Sequence, residues 1–257
     1  DFTIKTRDQW EEHKRQMLAQ PPGSRVDTFS ALRRMYEAQA KGRWFCWTGV
    51  ECYETAKDIF GHVGLSYIMA DDPEWAKDIF DTEAELACRV LDYLDASGVR
   101  FDGGWIYGDI AFNHAPFFSP KMYRALIKPA HVRQIAWFKE RGLPVIYHTD
   151  GDFRLILPDL IDAGVDCFQP LEAKAHMDIR DLKPQYGDRV SWMGNIDVMV
   201  LITNDRARIE AEVAVKLPIA KAGGGYIYHS DHSIAPGVRW ESYQFLMELV
   251  DRYGSYA

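Results

Sequence analysis

The sequence predicts an α/β protein whose parallel strands form a barrel-type ring, and three observations carry that reading. Short apolar runs alternate with helix-length stretches, the pattern of buried parallel strands joined by helical crossovers. Three of these runs stop in ionisable residues: Leu143-Pro-Val-Ile-Tyr runs into His148-Thr-Asp150-Gly151, Val165-Asp-Cys-Phe-Gln-Pro-Leu into Glu172, and Gly225-Tyr-Ile-Tyr into His229-Ser-Asp231-His232. The dinucleotide fingerprint GxGxxG of an open doubly wound sheet is absent, and Gly223-Gly224-Gly225 precedes a strand, where it reads as a helix stop and turn. In a ring of parallel strands, catalytic groups sit where strands end and loops begin.

Residues 8–41 read as polar helix, broken near Pro21-Pro22-Gly23. Residues 43–48 read as a strand, and Glu51 to about Phe60 as a helix with Gly61 as its stop. A long helix follows over 72–97, with Asp71 or Asp72 as cap and Pro73 at its first position. The next strand covers 101–107 and ends in Gly108-Asp109. Ser119-Pro120 opens a helix to about Arg141, kinked at Pro129. Strands near 143–148, 165–170, 189–194 and 225–230 then alternate with helices near 153–163, 178–186 and 205–222. A closing helix places Trp240, Tyr243, Met247 and Val250 at helical spacing. No internal repeat or Gly/Ser/Pro linker divides the chain, so residues 1–257 are expected to form a single domain.

A length of 257 residues can bury a sizeable core, and a net charge of -8 without a basic stripe argues against nucleic-acid binding. No apolar run approaches the roughly 18 residues that suggest a membrane span. No signal peptide is visible, although the chain begins without Met. Cys46, Cys52, Cys88 and Cys167 are scattered and lack CxxC spacing, so free thiols and a cytoplasmic location are expected.

His148 and Asp150 lie two apart on an extended segment, so their side chains leave the same face. That suits two ligands of one metal, or a base and its orienting carboxylate; the competing reading is a turn, with Asp152 as a helix cap. Glu172 ends an otherwise apolar strand. Asp231 and His232 face opposite ways, and His232 is taken to point inward. If Asp150, Glu172 and Asp231 converge, two carboxylates about 4 Å apart repel by roughly 4 kcal/mol at an effective dielectric near 20. Such a cluster must hold a proton, a cation or a cationic substrate group. Imidazole plus carboxylate suits zinc, and also iron, manganese or nickel. Tyr107 and Asp109 close one strand, with Asn113 and His114 in the loop beyond. Asn195 and Asp197 close another, Asn195 as a substrate anchor and Asp197 as an acid or a helix cap. Glu51 and Tyr53 follow the first strand as candidates of the same kind. The strand tryptophans Trp44, Trp47, Trp105 and Trp192 are assigned to the core.

These residues resemble the uroporphyrinogen decarboxylase superfamily, which includes the cobalamin-linked methyltransferases. The resemblance runs from about Asp8 to Tyr256. It rests on Gly108-Asp109, Phe118-Ser119-Pro120 with Pro129, His148-Thr-Asp-Gly, residues 157–166, Pro170-Leu-Glu172 with Met177-Asp178, Met193-Gly-Asn-Ile-Asp197, and residues 224–232. It implies a (β/α)8 TIM-type barrel of which the chain carries the third to eighth strands, the first two lacking a counterpart. The Arg-rich segment that holds substrate carboxylates in the decarboxylases is absent with them, and Arg43, Arg100 and Arg154 form no evident cluster. In the methyltransferase branch a His-x-Cys and a later Cys bind zinc; here the matching positions are His148, Asp150 and His232, with Glu172 where an acidic ligand would fit.

The resemblance implies a metal-assisted methyltransferase acting on a small methylated or methoxylated compound, with a corrinoid protein as partner. His148, Asp150, Glu172 and His232 would hold a divalent ion, zinc first. Asp109, Tyr107, Asn195 and Asp197 would serve catalysis, and Glu51, Asn113 and Asp231 would contact substrate. The alternatives are a metal-independent decarboxylase, in which Asp109 or Asp150 stabilises a protonated intermediate, and a non-catalytic barrel that binds a corrinoid or a partner protein. A homo-oligomer fits any of the three.

Overall fold

The computed structural model describes residues 2 and 4–256. Its strands are β1 (Cys46–Val50), β2 (Gly103–Tyr107), β3 (Ala111–Phe112), β4 (Ala115–Pro116), β5 (Val145–His148), β6 (Cys167–Gln169), β7 (Ser191–Met193) and β8 (Tyr226–Ile227). Six of them form one sheet in the order β1-β2-β5-β6-β7-β8, while β3 and β4 form a separate antiparallel hairpin. The pairings β1–β2, β6–β7 and β7–β8 are parallel. The expected neighbour order therefore holds, and β1 and β8 stand at its two ends rather than pairing. Strands β2, β5, β6, β7 and β8 lie within their expected runs but are shorter, while β1 is shifted along the chain and ends at Val50, past the expected 43–48.

The helices are α1 (Arg7–Ala19), α2 (Thr28–Ala40), α3 (Cys52–Asp71), α4 (Pro73–Ala96), α5 (Pro120–Met122), α6 (Lys128–Lys139), α7 (Leu157–Asp162), α8 (Ile179–Tyr186), α9 (Val198–Ile202), α10 (Arg206–Lys221) and α11 (Trp240–Gly254). Asp72, not Asp71, caps α4, accepting from Trp75 N at 3.1 Å. Gly61 interrupts α3 where the sequence places a helix stop: it takes φ 72 and ψ 158, outside the helical region, and a second helical stretch begins after it. The bend near Pro129 is a π-helical turn over Tyr123–Ile127, with Lys128 N donating to Tyr123 O. Pro129 lacks the N–H that a continuous α-helix needs there.

The chain divides into two compact units. One comprises residues up to Gly108 with Phe118–Ile146 and Asp162–Gly164; the other comprises Asp109–Phe117, Tyr147–Ile161 and the residues from Val165 onward. In the first unit, Trp10 is fully buried and packs on Phe60 (ring centroids 5.7 Å apart), which meets Trp75 edge-on at 5.8 Å. The Trp10 indole N–H also donates to Asp78 at 2.7 Å, which fixes α1 against α4. Trp44 departs from its expected core position and is 45% exposed just before β1. The core of the second unit is a ring ladder, Phe153 on Phe168 on Trp192, with centroids 5.6 and 5.8 Å apart. All three side chains are fully buried.

Candidate functional site

The second unit gathers most of the strand-end candidates, and it does so through backbone amides. Asp109, just past β2, accepts the Asp150 N–H at 2.9 Å. His148 ends β5 with its Nε2 3.7 Å from Asp109 Oδ1. Its Nδ1 bonds Gln169 Oε1 at the end of β6. With an amide oxygen as partner, Nδ1 is the donor, and in the neutral imidazole the lone pair then lies on Nε2. Ligand atoms of Asp109, His148 and Asp150 all lie within 4.8 Å of one another, a spacing one divalent ion can bridge.

Asp150 is the least satisfied member of this group. Its Oδ1 is buried and has no hydrogen-bond partner. Burial pushes its carboxyl above the usual range, and the negative charges of Asp109 and Glu172 push it further, while His148 and His232 pull it back. A buried carboxylate oxygen without a donor is costly unless a proton or cation satisfies it. The donor set of one imidazole nitrogen and two carboxylates fits a hard or borderline divalent cation, and no thiolate narrows it to zinc.

Several assignments made from sequence change here. Asp109, expected to orient substrate, joins the group with metal-ligand spacing, and Glu172 and His232 lie outside it. Glu172 is buried, accepts Gly151 N–H at 2.8 Å and pairs with Lys174 at 2.8 Å. Its carboxylate therefore holds the turn after Asp150. His232 is exposed and Asp231 is the buried member of that pair, the reverse of the expected facing. The cause is the parallel bridge between Ile196 and Ser230, followed by Asp231 N–H to Ile196 O at 2.8 Å. Asp231 accepts from Ala173 N at 3.0 Å and Val198 N at 2.8 Å, so both its oxygens anchor backbone instead of substrate. Burial raises its carboxyl above the usual range while those two amides act in the opposite direction.

Asn195 is fully buried, and its amide is committed: Oδ1 accepts from Ile179 N at 3.0 Å, and Nδ2 donates to Leu171 O at 2.8 Å and to Met177 O. It ties loops together rather than anchoring substrate. Asp197 caps α9 through Met199 N at 2.7 Å. Asp152 accepts from the Arg154 backbone and guanidinium, and α7 opens only at Leu157, so Asp152 closes a turn rather than capping a helix. Asn113 lies exposed in the turn of the β3–β4 hairpin. Gln169 and Thr149 do not stand out in the sequence. A polar residue inside the apolar run 165–171 is the signal for Gln169, which is buried beside His148. Thr149 Oγ1 accepts from Ile110 N at 3.2 Å.

In the first unit, Tyr107 ends β2 at 36% exposure. Glu51 is fully buried, which removes it from substrate contact. Its carboxylate caps α3 through Tyr53 N (2.7 Å) and Glu54 N (2.6 Å) and meets His131 Nε2 at 2.7 Å. His131 Nδ1 in turn bonds the Tyr123 hydroxyl at 3.0 Å. Glu51, Cys52 and His131 also have ligand-compatible spacing, but the two backbone amides and the imidazole already surround the carboxylate.

The uroporphyrinogen decarboxylase (URO-D) family model matches residues 60–253. The uroporphyrinogen decarboxylase of Saccharophagus degradans is 30% identical over 175 residues, covering 66% of this chain and 46% of that protein. The Pseudomonas fluorescens enzyme of the same name is 36% identical over 110 residues, covering 43% of this chain and 30% of its own length. The chain thus spans about half the length of the first relative or less. Among solved structures, a methyltransferase from Methanosarcina mazei superposes with a TM-score of 0.63 at 18% identity, covering 81% of this chain and 59% of that one. That likeness establishes a shared fold. With the family model matching residues 60–253, most of the chain, the chain belongs to the uroporphyrinogen decarboxylase family.

Proposed function

We propose that this protein is a metal-dependent enzyme of its superfamily, catalysing methyl transfer from a small methylated or methoxylated substrate, with a corrinoid protein as the acceptor. The observation that carries the reading is Asp150 Oδ1, buried without a donor within ligand spacing of His148 and Asp109. These three residues would hold the ion. A bound divalent cation supplies Lewis acidity, drawing charge from a substrate oxygen or sulfur it touches.

The chain's own residues do the rest. The Gln169 amide oxygen accepts a hydrogen bond from His148 Nδ1–H, which in the neutral imidazole leaves the lone pair on Nε2. Asp109 receives the Asp150 N–H, which sets the Asp150 backbone relative to the imidazole. Glu172 holds the Gly151 amide, and Asp231 ties the loops after β6 and β7. Without an ion, Asp150 retains a proton to higher pH than an ordinary carboxyl.

That last property supports a second reading, a metal-independent decarboxylase in which Asp150 carries the proton, in keeping with the names of the curated relatives. Metal analysis separates the two. The methyl-transfer reading requires a stoichiometric divalent ion in the purified protein, its loss in Asp150→Asn, and inactivation by chelator. Retention of turnover after exhaustive chelation would sink it and favour the decarboxylase. Among the described residues no helix is long and apolar enough to cross a membrane.

A further inference from the structure

Two exposed histidines outside the Asp109, His148 and Asp150 group meet in the second unit. His114 lies in the turn of the β3–β4 hairpin, and His176 ends the short turn after Glu172. Their rings face each other with centroids 6.1 Å apart and planes 27° apart. Exposed imidazoles are ordinary when they stand alone. This pair differs because each belongs to a separate loop and both backbones are held. The hairpin is fixed by the Phe112–Ala115 pairing, by Phe117 N donating to Ile110 O at 3.0 Å and by Asp152 N donating to Phe112 O at 2.9 Å. The turn is fixed by His176 N donating to Ala173 O at 3.1 Å and Met177 N to Glu172 O at 3.3 Å, while Asn195 Nδ2 holds Met177 O.

His176 takes φ 64, a left-handed conformation uncommon outside glycine. Such positions cluster where a loop presents a side chain for use. The edge of Phe112, 6.3 Å from the His114 ring, sets the tilt of the other imidazole. The spacing suits a shared ion. An ion about 2.0–2.1 Å from an imidazole nitrogen lies roughly 3 Å from the ring centroid. Two imidazoles on one tetrahedral ion then have centroids about 5 Å apart, or about 6 Å when they bind from opposite sides. The observed 6.1 Å is at the wide end of that range, so small side-chain rotations bring both nitrogens to one ion without backbone movement. The Asp152 carboxylate, whose charge reaches His176, is taken by the Arg154 guanidinium at 2.9 and 2.6 Å, which leaves the remaining coordination positions to water.

We infer that His114 and His176 form a metal site of their own, a two-imidazole clip that takes a borderline divalent ion (zinc, nickel or copper) and ties the β3–β4 hairpin to the turn after Glu172. Imidazole suits these ions, whereas magnesium and calcium take oxygen ligands. Neither ligand belongs to the Asp109, His148 and Asp150 group, so the clip does not depend on that group holding an ion. With two protein ligands and water in the other positions, the clip exchanges its ion freely. It loses the ion on gel filtration and refills on titration, whereas the ion of the proposed reaction is retained through purification.

The test is calorimetric titration with zinc chloride, after gel filtration, of the wild type and of Asp150→Asn, in which the other candidate group is disabled. Asp150→Asn should bind one zinc. Adding His114→Ala or His176→Ala should weaken that binding by at least about tenfold, because loss of a ligand costs no less than the 10–100-fold of an outer-shell partner. His62→Ala, which removes an exposed histidine of the first unit, should leave it unchanged, as should excess magnesium. His114→Ala should keep the wild-type urea midpoint. Copper(II) bound in place of zinc should show two nitrogen ligands by electron paramagnetic resonance. Zinc should also slow amide hydrogen exchange over residues 111–117, and not once His114 is replaced. No zinc bound by Asp150→Asn, undiminished binding after either histidine is replaced, or zinc held through one histidine with hairpin exchange unchanged overturns the inference.

Discussion

Replacing Asn195 with Ala should unfold this protein readily rather than merely weaken substrate binding. The buried amide serves three backbone groups, Ile179 N, Leu171 O and Met177 O. Truncation leaves each without that partner in the interior, at about 1–3 kcal/mol apiece. Asn195 also sits at φ 75, where Asn is tolerated and Ala costs roughly 1–2 kcal/mol more. Because the three groups share one side chain the losses are not additive, and about 4 kcal/mol is the expected total, a large part of the 5–15 kcal/mol typical of a domain. Urea unfolding followed by far-UV circular dichroism and tryptophan fluorescence measures it. Asn195→Asp should be destabilised as well, since a carboxylate opposite two carbonyl oxygens replaces two hydrogen bonds with repulsion. A stability within about 1 kcal/mol of wild type, together with loss of ligand binding, would refute the structural role and return Asn195 to the substrate.

Three further outcomes are expected. Gly151→Ala should cost about 2–4 kcal/mol and lower metal affinity, because φ 83 strains Ala and its Cβ would strike the Ala111 backbone, which cannot swing aside; thermal melts with metal titration check both. Burial pushes Glu83 up to about 7 from 4.5, and its Oε1 is buried without a partner. The folded state then holds a proton that the unfolded chain gives up. The associated stability, at most about 3 kcal/mol, is present below 4.5 and lost as pH rises through 7. Glu83→Gln should flatten that slope between pH 5 and pH 8, and an unchanged slope in urea midpoints would refute the assignment. Asp150→Asn should abolish metal retention, whereas Glu172→Gln should keep most of it, because an amide oxygen still accepts the Gly151 N–H; equal metal loss in the two variants, read by elemental analysis, would return Glu172 to the ligand set.

The sheet is legible in the sequence because its signal is regional. Apolar runs ending at His148, Glu172 and the segment 229–232 mark parallel strands whatever the fate of individual side chains, and the strand order follows. Facing is less legible. Alternation puts Asp231 and His232 on opposite faces without saying which points inward; the ladder beyond β8 is a single bridge between Ile196 and Ser230, and hydrogen bonds from that point turn Asp231 inward instead of His232. Helix punctuation is legible too: Gly61 takes a non-helical conformation inside α3, where the sequence places a stop. Gln169 shows in the sequence only as a polar residue within an apolar run; its partner His148 is 21 residues away, so the pairing itself is not encoded by any local pattern.

The same distinction explains why a row of strand-end carboxylates contains so few candidates for direct chemistry. Loops at the ends of parallel strands carry amide N–H groups that no ladder satisfies, and a short carboxylate on the next residue or loop is the nearest acceptor. Asp231 takes Ala173 N and Val198 N, Glu172 takes Gly151 N, and Asp197 takes Met199 N. From sequence, these residues cannot be told from catalytic acids, because the ends of the strands are where both kinds are needed. What separates them is the valence left after the backbone is satisfied. Asp150 Oδ1 retains such a valence, beside an imidazole whose tautomer Gln169 fixes. The structural carboxylates build a frame of fixed amides, and that frame holds Asp150 raised and unsatisfied, which makes its second oxygen the atom to test first.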